Sequence, residues 1–332
     1  MDLIAILRDK IDTLDEGDYM LGLRAVLLHI ETAYRHFLRG QNDGDEQAFT
    51  DAIYRANHAF EGILKEAYRV LAGKDPAGTR PYDIESYFEE NSIFRDRVLN
   101  QFKRYRTEWR NPSTHDYRLF FDESEAFLGI VSVTTFACLL LDQISEQIAF
   151  IKSKANAESQ REEIQHRIPP PDADLVSYLV QAIQEFALYY QPVFGKTEVQ
   201  VIGALHGFLA VALPDVQVTI EPLLGPTGQI LRPDLLAQRR DEIVVLEVKR
   251  RFSRQDCQRA LAQVKMYMTL GNVKNGILFF LPDKAGELVV EEHVVEEIGG
   301  RMVVLRPKLK QEAQPAHSAD RPSAASRPPA CG

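Results

Sequence analysis

Two acids and a lysine carry the strongest chemical signal in this chain: Asp234, Glu247 and Lys249. The run Val244-Val245-Leu246-Glu247-Val248-Lys249 is rich in branched apolar residues and predicts a buried strand. Strand side chains alternate between faces, so Glu247 and Lys249 share one face and Val248 takes the other. Asp234 follows Pro233 and the turn-forming Gly225-Pro226-Thr227-Gly228, which places it at the start of the preceding strand. Two carboxylates, with the Val248 carbonyl beside them, are the hard oxygen donors that Mg²⁺ or Mn²⁺ takes. A neighbouring lysine can orient or deprotonate a water as nucleophile, so the expected chemistry is phosphodiester hydrolysis.

The residues that follow extend this pattern. Ser253 is a good N-cap, and the helix it opens is predicted to run to about Leu270-Gly271. Gln263 and Tyr267 lie four apart, on one face of that helix. Upstream, residues 197–213 read as a helix carrying Glu198 and His206, which lie on neighbouring sides of it. In order and spacing, Asp234, Glu247 and Lys249 resemble the signature of the PD-(D/E)xK nuclease superfamily. The Gln263…Tyr267 pair looks like the glutamine–tyrosine motif of its RecB-like branch. The resemblance implies a restriction-endonuclease-like α/β core with Asp234, Glu247 and Val248 at the metal and Lys249 positioning the attacking water. Gln263 and Tyr267 would then support the site. It also implies a further acid or histidine on the upstream helix, for which Glu198 is favoured over His206.

A second constellation is Arg110-Asn111-Pro112-Ser113-Thr114-His115-Asp116-Tyr117, at a predicted helix boundary. A histidine near neutral pKa can move the proton of a ribose 2′-hydroxyl, and an arginine fork can stabilise charge growing on phosphate. Arginine, four residues, then histidine, within a helical region, resembles the HEPN family, and Tyr117 reproduces a longer form of its motif. That resemblance implies a metal-independent RNase site formed by Arg110 and His115 from two subunits, hence a homodimer through the helical part. The resemblance spans roughly 19–150, and only the motif is specific; some members bind RNA or merely dimerise.

The elements that must position these residues divide the chain. Residues 1–152 read as an all-α helical bundle, with helices expected at 19–38, 47–72, 83–109 and 122–152. The Asn111-Pro112 step is expected to end the third, and Asp122…Glu125 is a capping box for the fourth. Residues 153–174 turn polar and end in Pro169-Pro170-Pro171, which predicts a linker. Residues 175–308 alternate helix and strand and predict an α/β domain; 309–332, rich in Ala, Pro and Ser, predict a disordered tail.

Composition bounds the function. The 332 residues are 45% apolar and 26% charged, which suits ordinary globular cores. Three scattered cysteines offer no zinc or disulfide framework, and the N-terminus has no basic region leading into an apolar core. A cytoplasmic protein is expected. The longest uncharged stretches, 126–141 and 199–214, are short for membrane spans and read as buried helices. A net charge of −9 argues against indiscriminate coating of nucleic acid. Residues 232–265 nevertheless hold nine Lys/Arg against five acids, and Arg250, Arg251 and Arg254 are expected to hold phosphates.

The expectation is a two-domain nuclease. DNA is the expected substrate of the C-terminal part and RNA that of the helical part. Pairing two self-damaging activities suggests, by family analogy, an effector of antiviral defence or a toxin. The alternatives are a regulatory or nucleic-acid-binding protein that does not cut, and an enzyme whose helical domain only oligomerises.

Overall fold

The computed structural model describes residues 2–115, 118–168, 174–189, 196–225 and 231–308. It is mostly helical, with a mixed six-stranded sheet in the C-terminal part. The helical part is built on α1 (Leu3–Asp12), α2 (Met20–Asp43), α3 (Gln47–Leu71) and the 37-residue α7 (Glu123–Ser159). Gly44, in the left-handed region at φ 66°, closes α2 and lets the chain reverse into α3. Asp122 caps α7 with the reciprocal Glu125 bond, as its spacing predicts. Phe60, Phe102, Phe136 and Tyr105 stack at the centre of this bundle.

Three expectations for the helical part are corrected. The stretch 83–109 is not one helix. It divides into α4 (Pro81–Glu90), α5 (Asp96–Tyr105) and a π-turn (Arg106–Arg110). The break at 91–95 holds Ser92 at φ 51° and sets Phe94 against Phe88 and Phe102. Nor does Pro112 end the helix, since α6 (Asn111–His115) follows directly. In the π-turn the Asn111 N–H reaches back to the Arg106 carbonyl, five residues away. That wider register accommodates a proline, which has no N–H to donate. The expected linker is also helical where described: α7 continues to Ser159 and α8 spans Arg161–Arg167. Ser153, Ala157, Ile164 and Ile168 are buried, and the last three join the C-terminal core. Residues 169–173 and 309–332 lie outside the described residues.

In the C-terminal part, α9 (Leu175–Tyr189) and α10 (Glu198–Ala212) cover one face of the sheet and α11 (Arg254–Gly271) the other. The strands are β1 (Gln217–Ile220), β2 (Leu235–Arg239), β3 (Glu242–Lys249), β4 (Asn275–Phe280), β5 (Leu288–Val295) and β6 (Gly300–Pro307), in the order β1-β2-β3-β4-β6-β5. β1–β2–β3 are antiparallel, β3–β4 and β4–β6 parallel, and β5–β6 antiparallel. β3 is buried on both faces: Val244, Leu246 and Val248 pack under α9 and α10, while Val245 packs under α11.

The two parts share a tight interface. A Cβ on Gly203 would run into the Glu146 carbonyl oxygen, and one on Gly207 into that of Phe150. Two glycines four apart thus let α10 lie directly on the backbone of α7. Ser153 on α7 donates to the Ala204 carbonyl at 2.5 Å, and Lys196 and Gln200 bond to Asp15 and the Thr13 carbonyl of the bundle. α7 is long and apolar enough to cross a bilayer by length and composition, but half of that window is buried against the rest of the chain.

Candidate active site

The β2–β3 register makes the acid pair. Leu235 opposes Leu246, so continuing the ladder by one residue sets Asp234 opposite Glu247 on the same face. Hydrogen bonds lock this arrangement. The Asp234 N–H donates to Glu247 Oε2 at 3.3 Å, and the Val248 N–H donates to Asp234 Oδ2 at 2.7 Å. Lys249, two residues beyond Glu247, donates to Glu247 Oε1 at 2.7 Å and lies 3.7 Å from Glu198 Oε1. Glu198 is the first residue of α10, whose N-cap Thr197 forms a capping box with Gln200, and it accepts from the Arg250 N–H at 3.3 Å. Asp234, Glu247, Lys249 and Glu198 therefore meet at the ends of β2, β3 and α10.

The electrostatics of this cluster are strained. Glu247 is 2% exposed and Asp234 is partly buried. Loss of solvent, then the neighbouring Glu247 charge, push the Asp234 carboxyl up to about 8. Burial raises Glu247 too, against the pull of Lys249. Burial opposes charge on Lys249, but Glu247, Asp234 and Glu198 outweigh it, and its ammonium is held more firmly than usual. One lysine thus faces three carboxylates. Among the described residues no three His, Cys, Asp or Glu side chains converge closely enough to hold an ion unaided. The compact donor set is the Asp234–Glu247 pair with the Val248 peptide beside it, and Glu198 is joined to it through Lys249. Two crowded carboxylates with one cation between them fit a divalent metal, whose charge would relieve both.

On α11, capped by Ser253 as its sequence predicts, Gln263 Nε2 donates to Tyr267 Oη at 2.6 Å. Tyr267 Oη in turn donates to the Arg232 carbonyl at 3.2 Å, two residues before Asp234. This pair therefore braces the segment that carries Asp234. A cleft of about 350 Å³ opens beside Lys249, lined by Glu198, Arg250, Arg251, Asp256, Arg259 and Gln263. Arg250 and Arg251, two of the residues expected to hold phosphates, are among its lining. Arg254 is exposed at the start of α11 and does not line it, while Arg259, from the same basic run 232–265, does. Arg259 and Gln263 are four apart on α11 and so share the face that lines the cleft.

His206 is elsewhere. Its ring packs tilted against that of Phe150 of α7, centroids 4.7 Å apart, and burial, with Arg95 and Lys154 near, lowers its pKa to about 4. It is a neutral packing residue between the two parts of the chain.

In the helical part, the π-turn and α6 are tied to α3 through Asn57, which bonds Tyr105 Oη at 3.0 Å and Ser113 Oγ at 2.7 Å. The Arg110 side chain, 17% exposed, lies 3.5 Å from Glu61 and bonds Asn111 at 3.2 Å. Glu85, raised by burial, feels Arg110 and Arg106 as its nearest positive charges. The α6 backbone reaches His115; its side chain, and Tyr117, lie outside the described residues. The second constellation is thus placed at Arg110 alone.

No family model, curated protein or solved structure matches this chain.

Proposed function

We propose that the chain is a metal-dependent phosphodiesterase acting on DNA, with its active centre at Asp234, Glu247 and Lys249. The observation that carries this reading is the cross-strand pairing of two solvent-poor carboxylates with a lysine bonded to one of them. A structural ion pair has no use for the second acid, which raises the cost of burying the first. Asp234, Glu247 and the Val248 carbonyl would hold Mg²⁺ or Mn²⁺, which would supply Lewis-acid stabilisation of charge on the phosphate.

The chain's own residues do the rest. Lys249, kept charged by three carboxylates, donates hydrogen bonds and orients water or a phosphate oxygen. Arg250, Arg251 and Arg259 around the cleft supply positive charge for a phosphate backbone. Gln263 and Tyr267 keep the Asp234 segment in register. The sheet order and the covering helices support a restriction-endonuclease-like core, and the helical part supports a HEPN-like module that dimerises and contributes Arg110 and His115 to an RNase site. An effector of defence against foreign nucleic acid is the role that fits such a pairing.

The test is cleavage of DNA and RNA by the full chain with and without Mg²⁺. Asp234→Asn and Lys249→Ala are each expected to lower Mg²⁺-dependent DNA cleavage by roughly a thousandfold or more. They should leave any EDTA-resistant RNA cleavage intact. Undiminished DNA cleavage by either folded variant refutes the assignment.

A further inference from the structure

Asp234 does not sit within a strand. It precedes β2, and its position depends on what holds the short segment 231–234 in place. Leu231 pairs with Leu224 in both directions and the Asp234 N–H donates to Glu247, and two further bonds tie the segment to its surroundings. The Tyr267 hydroxyl donates to the Arg232 carbonyl, and the Glu221 N–H donates to the Asp234 carbonyl at 3.0 Å. Both Arg232 and Glu221 are in turn gripped by the helical part. Arg232 Nη2 bonds Asp96 Oδ2 at 3.1 Å, and Arg95 lies 3.6 Å from Glu221 while also pairing with Glu146 of α7. Arg95 and Asp96 are successive residues, the N-cap and first residue of α5.

We infer that α5 is a strut through which the helical part sets the position of the Asp234 carboxylate, with Asp96 and Arg95 as positioning residues of the C-terminal site. This rests on the phosphodiesterase reading above and adds its regulation. An exposed ion pair alone would hold little. Arg232, however, has an 11% exposed side chain whose Nε has no hydrogen-bond partner, so losing Asp96 leaves a largely buried guanidinium short of its counter-charge. Glu221 is at φ 43°, a backbone state that its surroundings must impose, and Arg95 is one of the groups that hold it.

The other end of α5 is rigidly seated. Phe102 and Tyr105 are fully buried in the bundle, Tyr105 is bonded to Asn57, and the helix continues into the π-turn that carries Arg110. Ten residues of α-helix span about 15 Å. The same rod thus begins beside Asp234 and ends at Arg110. A shift of the π-turn is thereby transmitted to the acid pair.

The experiment reads the strut without relying on activity. The Val248 N–H is held by the Asp234 carboxylate, so its hydrogen exchange reports whether Asp234 is in place. In the full chain, Asp96→Ala is expected to speed Val248 exchange by roughly tenfold while Leu246, two residues back on β3, is unchanged. Asp96→Arg should do the same, and Asp96→Arg combined with Arg232→Asp should restore protection. If the wild type cleaves DNA, Asp96→Ala should lower kcat between about tenfold and a hundredfold with KM within about twofold, and the charge swap should recover it. Unchanged Val248 exchange in both single variants overturns the strut, as does a uniform loss of protection along β3. Responsive exchange in a protein that cleaves nothing leaves the strut standing and overturns the phosphodiesterase reading instead.

Discussion

The fold opposes the charged form of Asp234, and that has a measurable consequence. A carboxyl whose folded pKa lies above its unfolded value is stabilised in its protonated form by the fold. For Asp234, about 8 in the fold against 3.8 for a free side chain, its contribution to stability without metal is fully present at low pH and is lost as pH rises from about 4 to about 8. Asp234→Asn keeps an acceptor for the Val248 N–H and removes the charge. In EDTA it is therefore expected to be more stable than the wild type at pH 8, on the order of 1–2 kcal/mol, with the gain vanishing toward pH 4. Thermal melts across that range check it, and a variant less stable at pH 8 would mean the carboxylate is needed for packing. The acid pair was legible in the sequence because an antiparallel register ties residues on adjacent strands in fixed pairs, and the alternation around Val248 fixed the face. Arg232 and Asp96 were not legible, because an ion pair across 136 residues leaves no local pattern.

Helix α10 sets Glu198, and what sets α10 is its contact with α7. Gly203 and Gly207 admit the α7 backbone so closely that any side chain there must displace carbonyl oxygens, not flexible side-chain tips. Gly203→Ala and Gly207→Ala are each expected to destabilise the chain by roughly 1–3 kcal/mol despite the higher helix propensity of alanine. They should also weaken the link between Glu198 and Lys249. Denaturant titration measures the first, and a neutral or stabilising result would show that the two helices can separate freely. The periodicity of α10 reads as an all-round apolar helix, so its burial was evident but not its partner. The same limit explains the misread stretch 153–168: Ser153 and Ala157 are buried by close approach, and small residues give no hydrophobic signal. The break in 83–109 leaves no mark in the sequence because Asn91 and Ser92 turn the chain without glycine or proline.

The molecule as a whole behaves differently from two domains on a tether. α7 begins inside the bundle, where Val133, Phe136 and Leu140 are buried, and ends against α10, where Ser153 and Ala157 are buried. It belongs to both cores, and Lys196 and Gln200 reach from the α10 entrance back to the turn after α1. Cutting at 152 would remove the last turns of α7 from α10 and expose the apolar surface they cover. Residues 175–308 expressed alone are therefore expected to be insoluble or poorly folded, and to be recovered by co-expression with residues 1–168, which keep α7 and α8 whole. Co-purification of the two fragments and amide exchange across α10 are the measurements. A soluble 175–308 fragment with native protection in α10 would show that the shared helix is dispensable. In the expected case α5 and α7 grip the C-terminal part at two separate places, α5 at the Asp234 segment and α7 at the helix that carries Glu198. Two of the three acids around Lys249, Asp234 and Glu198, are then held from the helical part, which makes that part a component of the proposed centre's architecture in addition to any chemistry at Arg110.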